Sequence, residues 1–174
     1  MGVRVFSLFF VFFIFSSIFL FYQKSKTLSI FVDLKKVPLM ELRDSDIYDI
    51  TYDGINSFLH SKIAKKYKDR YELFGVVGNK KEQGRIDNLS AKRATLKDDI
   101  LTLKGNVFFK SSDNRTLKSD TVVYNLKKDI LSSDKDFIST YKKSRLKGSS
   151  FIYYKKRKRF LAQNIIADIN MEND

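Results

Sequence analysis

The sequence predicts an all-β domain of repeated short strands behind an apolar N-terminal run, on three observations. First, the columns of Leu59 to Ile169 recur about every thirty residues. Leu59, Lys62, Ala64, Asp69, Leu73, Gly75 and Val77 meet Leu89, Lys92, Ala94, Asp99, Leu103, Gly105 and Val107. A further slide sets Asp99, Ile100, Leu101 and Val107 on Asp129, Ile130, Leu131 and Phe137, and a third sets Tyr124, Ile130 and Leu131 on Tyr154, Phe160 and Leu161. A fixed period of this size marks a repeat architecture, in which each unit buries its apolar face by stacking on its neighbours. Second, stretches enriched in β-branched and aromatic residues follow one another at regular spacing, separated by turn chemistry. Third, helical periodicity is almost absent.

The length, 174 residues, leaves room for one domain and an anchor. There is no Cys, which excludes disulfides, thiolate metal sites and an acylated lipoprotein N-terminus. The formal charge is +13. A surface that basic expects anionic partners: phosphorylated lipid, membrane headgroups or nucleic acid.

In chain order, Val5 to Tyr22 is free of charge and interrupted only by Ser7, Ser16 and Ser17. As a helix it would span about 27 Å, close to the hydrocarbon core of a bilayer. A cleaved signal peptide would place small residues after the run, but Phe19-Leu20-Phe21-Tyr22-Gln23-Lys24 follows instead. Residues 1–24 therefore read as a short tip and a retained transmembrane anchor. Residues 25–46, with the only proline at Pro38, read as a linker, and 47–174 as the β domain. Within it Ile47 to Tyr52 alternates weakly and Asp53-Gly54 signals a turn.

Strands are then expected at Asn56 to Tyr67, Arg70 to Val77, Gly84 to Leu96, Ile100 to Lys110, Arg115 to Asn125, Ile130 to Thr140, Arg145 to Tyr154 and Phe160 to Asn170. Asn56 to Lys68 also fits a helix, and is read as strand on its match to Leu89 to Lys97. The turns fall at Gly78-Asn79, Lys97-Asp98-Asp99, Ser111 to Asn114, Lys127 to Asp129 and Lys155 to Lys158.

Parity assigns the faces. Leu101, Leu103, Val107 and Phe109 share one parity, and an even repeat preserves it in a period-two structure. The same face is therefore expected to take Leu73 and Val77 before them, and Leu131, Phe137, Leu161 and Ile165 after them. Leu117, Leu146 and Ile152 are assigned to it too, across the confused parity of Val122-Val123 and Phe151-Ile152.

No catalytic constellation is present. His60 is the only His, so a His-rich metal site cannot be built; no nucleophilic relay is expected around it, and it reads as a surface or rim residue. Gly75-Val-Val-Gly78 lacks the spacing and the following Ser/Thr of a phosphate loop. Asp98-Asp99 reads as a repeat-linked turn, because Asp69 and Asp129 share its column. No metal, cofactor or enzymatic activity is expected.

Lys155, Lys156, Arg157, Lys158 and Arg159 form the strongest charge run. They read either as a solvated turn that guards the sheet edge or as a contact for phosphates and anionic headgroups. The apolar face has two readings as well. It is a closed core, or it lines a groove for acyl chains, each buried methylene being worth about 0.8 kcal/mol.

Leu89-Ser-Ala-Lys-Arg-Ala-Thr-Leu-Lys-Asp-Asp-Ile-Leu-Thr-Leu-Lys-Gly-Asn-Val resembles the repeat of the lipopolysaccharide-transport family that includes the organic-solvent-tolerance proteins. Leu117-Lys-Ser-Asp-Thr-Val-Val-Tyr-Asn and Gly148-Ser-Ser-Phe-Ile-Tyr-Tyr follow the same pattern. The N-terminal span and short basic domain are most similar to the LptC family, the inner-membrane bridge components. The resemblance implies a V-shaped open β-jellyroll in the periplasm, anchored in the bacterial inner membrane with its N-terminus in the cytoplasm. It implies no catalysis: lipopolysaccharide is received from an ABC transporter and passed to an LptA-type bridge protein. One sheet edge would pair with the LptF/LptG side of the transporter. Phe160 to Ile169 would form the edge toward the bridge protein. The apolar columns become groove residues and the basic run a headgroup contact, with no nucleic-acid partner. A membrane-anchored scaffold whose basic face binds an anionic polymer or headgroups is the alternative. The soluble bridge protein of the same family, with a cleaved signal, is the nearest competitor.

Overall fold

The computed structural model describes residues 36–170 apart from 53 and 83. The anchor at 1–24 and the possible strand at Leu28–Val32 lie outside the described residues. The described chain belongs to one compact unit, Asp33–Asp174.

Twelve strands form a single antiparallel sheet. They are β1 (Met40–Thr51), β2 (Gly54–Lys66), β3 (Tyr71–Glu82), β4 (Arg85–Lys97), β5 (Ile100–Ser111), β6 (Arg115–Asn125), β7 (Ile130–Ser133), β8 (Phe137–Tyr141), β9 (Ser144–Gly148), β10 (Ser150–Tyr154), β11 (Arg159–Gln163) and β12 (Ile166–Asp168). The first six pair in sequence order as hairpins. After β6 the sheet forks: β7, β10 and β11 continue one branch, and β8, β9 and β12 the other. The sheet does not close, since β1 pairs only with β2, β11 only with β10 and β12 only with β9.

Three expectations are corrected here. β1 begins at Met40, inside the stretch read as linker. The turn expected at Gly78-Asn79 is interior strand, because β3 runs on to Glu82 and both residues pair with β4. The three last predicted strands are each two short ones, broken at Asp134–Asp136, Ser149 and Asn164-Ile165.

Those breaks continue a line that runs across the whole sheet. In β1 the pairing skips Asp44 (φ 46°), opposite Lys62 of β2. In β3 it skips Gly75 (φ 62°), between Lys62 and Lys92. In β5 Gly105 (φ 78°) and Asn106 (φ 51°) lie opposite Asp120 alone, a bulge of one extra residue. Left-handed backbone at alternate strands, β1, β3 and β5, creases the sheet, because a bulge bends its strand and increases local twist. The glycines cannot be replaced freely: a Cβ at Gly75 would lie 2.9 Å from Lys62 Cγ, and one at Gly105 3.0 Å from Lys92 Cβ. The Gly and Lys columns of the repeat are therefore crease positions, and one repeat is two long strands that each cross it once.

The crease divides the sheet into two halves. The near half holds the β1 end at Met40, the hairpin turns after β2, β4, β6 and β10, and the short strands β7, β10 and β11. The far half holds the turns after β1, β3, β5 and β8, with β8, β9 and β12. The core sits along the crease: Val76, Ala91, Val107 and Phe137 from the far side, with Ala94, Leu103, Val122 and Phe151 from the near side. Small buried serines allow the close approach there. Ser45 and Ser61 hydroxyls lie 2.9 Å apart, and Ser119 bonds Ser133 at 3.1 Å and the Asp136 carbonyl at 3.0 Å.

Candidate functional site

Crossing the crease changes which side chains point inward. In β3 Leu73 packs on the core, Gly75 takes the left-handed turn, and Val76 rather than Val77 enters the core. Val76 is 2 % exposed and Val77 53 %. The same three-residue step recurs from Ala91 to Ala94 and from Ser119 to Val122. Only β5 keeps one parity, Leu103 and Val107, because its bulge adds a residue. Val77, assigned to the apolar face by extending the parity of β5, therefore lies on the outer face.

Ile152 and Leu161 are corrected for a related reason. They pair with each other across β10 and β11, while their neighbours Phe151, fully buried, and Ala162, packed on the core, pair inward. Ile152 and Leu161 are 40 % and 41 % exposed on the outer face. The inward residue matching Leu131 is Phe160, so the last repeat is one residue short. Sequence parity missed Phe151 and Phe160, which stack on each other at 5.7 Å and meet the Phe137 ring edge-on at 5.1 and 5.8 Å.

The other predicted face residues do share one surface. Leu103, Val107 and Phe137 are core; Leu73, Leu101, Leu117, Leu131 and Leu146 pack partly buried against it. Phe109 pairs with Leu89 and Leu117 in the same row. Ile165 lies in the β11–β12 connection, half exposed beside the crease.

The inner face ends differently in the two halves. In the near half it stays apolar to the rim, where Leu96, Leu101, Tyr124, Leu131, Tyr153 and Phe160 form one cross-strand row. Only the Tyr124 hydroxyl is tied back, to Asp129. In the far half the row of Leu59, Leu89, Phe109, Leu117 and Leu146 gives way to a polar group of Arg85, Asp87, Ser111, Asp113 and Arg115. Arg85 Nε and Asp87 Oδ1 are buried there without a hydrogen-bond partner. Arg115 donates to Asp113 through Nε (2.8 Å) and Nη2, and this charge-assisted pair holds the Asp113 carboxyl far below its ordinary range.

On the outer face of the near half, Glu72 is buried under two guanidinium groups. Burial alone would raise its pKa, but Arg70 Nε at 2.7 Å and Arg93 Nη2 at 2.8 Å outweigh it, and the net shift is downward. Arg70 stacks on Tyr67 at 3.9 Å and Arg93 lies over Phe74 at 5.2 Å. On the far half the outer face instead holds a cavity of about 560 Å³ at the crease. Phe108, Lys118, Asp120, Asp136 and Ile138 are among the residues that line it.

The basic run occupies the β10–β11 turn and the first residue of β11, all five side chains exposed. It stands on the near rim, in line with Lys127 and Lys128 of the β6–β7 turn. Asp98 (φ 48°) and Asp99 (φ 62°) make the two-residue β4–β5 turn, as expected from their column. His60 Nδ1 lies 2.7 Å from Asp46 Oδ1 on the outer face, a carboxylate that accepts from the ring N–H and a partner the sequence did not signal. Among the described residues no group of three or more His, Cys, Asp and Glu is placed to hold a metal, and no helix is long and apolar enough to cross a membrane.

With this geometry in hand, comparison with known proteins is informative. The family described as "Lipopolysaccharide-assembly, LptC-related" matches residues 48–164. No curated protein matches the chain. Among solved structures the chain is similar to LptH of Pseudomonas aeruginosa, described as the LptA homologous periplasmic component of the conserved lipopolysaccharide transport device. The likeness is 12 % identity over 79 % of this chain and 98 % of that one, with a TM-score of 0.43.

Proposed function

The chain belongs to the LptC-related lipopolysaccharide-assembly family, and from that premise we propose that it is a non-catalytic relay for lipopolysaccharide. The acyl chains lie along the inner face of the folded sheet. The observation that carries this reading is the row of Leu101, Leu131, Tyr153 and Phe160, which keeps the near half apolar up to its rim and runs directly into the core. A closed domain has no need of an apolar mouth, whereas a lipid carrier does. Passage past the buried core then requires the two halves to part along the crease, separating side chains such as Leu103, Val107, Phe137 and Phe151 that pack there.

The edges support the handover. β1 is exposed over nearly its whole length, and Leu42, Ile47 and Ile50 are among its exposed apolar residues. At the other end β11 and β12 expose Phe160, Ile166 and nearby Ile169. An unpaired strand is a template for another strand. In this reading β1 receives a jellyroll on the LptF/LptG side of the transporter, and β11–β12 receives the LptA-type bridge protein. The N-terminal run of residues 1–24 holds the chain in the inner membrane with the sheet in the periplasm. The energy is supplied by the transporter, because this chain has no nucleotide-binding motif.

Photocrosslinking in living cells tests the reading, with the probe at Leu131 on the inner face and a control at Lys135 in the β7–β8 connection. A lipopolysaccharide adduct at 131 and not at 135 is expected. Adducts at neither, with the protein folded and present, would favour the anchored scaffold with a closed core. The depth of burial at Val76, Val107 and Phe137 is the observation on that side.

A further inference from the structure

The near rim has a property that carriage along the inner face does not call for. Its turns are joined into one surface by backbone hydrogen bonds: Leu126 N donates to Asp99 O at 2.9 Å, and Lys155 N to Asp129 O at 3.1 Å. Two of these joined turns carry Lys127, Lys128 and the run from Lys155 to Arg159, all exposed. The acidic residues on the turns of this rim are Asp69, Asp98, Asp99 and Asp129: Asp69 is paired with Arg70 and Lys97, Asp129 accepts from the Tyr124 hydroxyl, and Asp98 and Asp99 lie apart from the basic run on the β4–β5 turn. The far rim has no comparable run: its turns hold Lys142 and Lys143, and Asp113 bonded to Arg115.

The chain also enters the sheet at the near rim. Leu39 N donates to Lys66 O at 2.7 Å, and Met40 opens β1 beside it. The apolar run that ends at Tyr22 is separated from Met40 by about 17 residues, a tether that reaches at most about 60 Å. That length is the limit of the sheet's reach from whatever surface holds that run.

We propose that the near rim docks on the anionic phospholipid headgroups of the membrane that holds the N-terminal run. The inference rests on the anchored, lipid-carrying reading above and adds an orientation to it. The basic turns lie on the headgroups, and the apolar mouth of Leu101, Leu131 and Tyr153 opens at the membrane. The far half and its polar end point away. Each basic residue near an anionic surface strengthens docking about fivefold, an effect confined to roughly a Debye length. Turns clustered on one rim act together, whereas charges spread over the sheet would not.

The chain has no Cys, so one introduced Cys takes a fluorophore at a single place. The full chain is reconstituted in nanodiscs of phosphatidylcholine, with or without phosphatidylglycerol, carrying an acceptor on the lipid headgroups. Energy transfer is read from Lys128→Cys on the near rim and Lys143→Cys on the far rim. Strong transfer from the near rim alone is expected with phosphatidylglycerol present. It should fall in discs of phosphatidylcholine alone, in about 1 M salt where the Debye length is about 3 Å, and on changing Lys156, Arg157 and Lys158 together to Gln. Equal transfer from both rims, or near-rim transfer indifferent to lipid charge and salt, would overturn the docking. A chain that separates from the discs in salt would instead overturn the anchored reading and the docking with it. Retention on the discs thus tells the two failures apart.

Discussion

The near and far halves are built from the same long strands, yet they end in different chemistry. β2 to β6 each pass through both. At the near end they deliver Leu96, Leu101 and Tyr124 to the inner face; at the far end they deliver Arg85, Asp87 and Arg115. The outer faces differ as well, with Glu72 clamped by Arg70 and Arg93 on one side of the crease and Phe108, Lys118 and Ile138 around a cavity on the other. A continuous strand thus does not imply a continuous surface. The crease allows one strand to present an apolar mouth at one end and a polar stop at the other.

The comparison breaks most severely at the crease core. Val76→Asp would place an unpaired charge at a site 2 % exposed, at a cost of about 4 kcal/mol or more. Loss of the urea transition is the expected result, and Leu103→Asp should behave alike. Leu131→Asp, on the partly buried mouth of the near half, should keep the fold by circular dichroism and lose lipopolysaccharide crosslinking. A folded Val76→Asp protein would show that the halves do not pack as described.

Glu72→Gln sharpens the contrast of outer faces, since it leaves two guanidinium groups without their carboxylate. About 2 kcal/mol of stability should be lost at neutral pH, read as a lower urea midpoint. The carboxyl has its pKa lowered on folding from 4.5. Its contribution is therefore complete above about pH 4.5 and disappears as pH falls through the lowered folded value. Wild type and Glu72→Gln should converge in stability under strong acid. Asp113, lowered from 3.8 by Arg115, gives the far half the same direction of acid sensitivity at lower pH.

Gly75→Ala tests the crease itself. A left-handed φ costs an L-residue about 1 to 2 kcal/mol, and the new Cβ would meet the Lys62 stem. Stability should fall by that amount, read as a lower urea midpoint with an unchanged slope. An unaffected midpoint would mean that the strand crosses without needing glycine.

The smallest effect is expected next to the largest. Val77→Asp, one residue from Val76 and on the outer face, should change stability by less than about 0.5 kcal/mol and leave crosslinking at Leu131 intact. A large effect there would restore Val77 to the inner face and refute the three-residue step.

Much of the strand pattern was legible in advance because alternation, turn residues and the Gly and Lys columns are local. The β2–β3, β4–β5 and β5–β6 hairpins and the Asp98-Asp99 turn fall where those signals put them, whereas the turn signal at Gly78-Asn79 lies inside β3, where both residues pair with β2 on one side and β4 on the other. Most of the apolar face was legible too, since Leu73, Leu101, Leu103, Val107, Leu117, Leu131, Phe137 and Leu146 share it. Val77, Ile152 and Leu161 were misassigned because parity was extended through positions where the backbone leaves the extended conformation. β1 was read short because charges dilute its alternation along an exposed edge.

An all-β chain with a repeat of about thirty residues, a one-sided apolar pattern and a concentrated basic run are legible in the sequence alone. All of these follow from neighbours along the chain. Only the tertiary structure decided that Gly75, Gly105 and Asp44 line up as one crease, that the inner face shifts by a residue as it crosses, and that the basic turns share the rim where the chain enters. The physical reason is register. A glycine takes a left-handed φ in one strand at little cost, but whether the bends of β1, β3 and β5 meet in a line depends on the pairing of each strand with its neighbours.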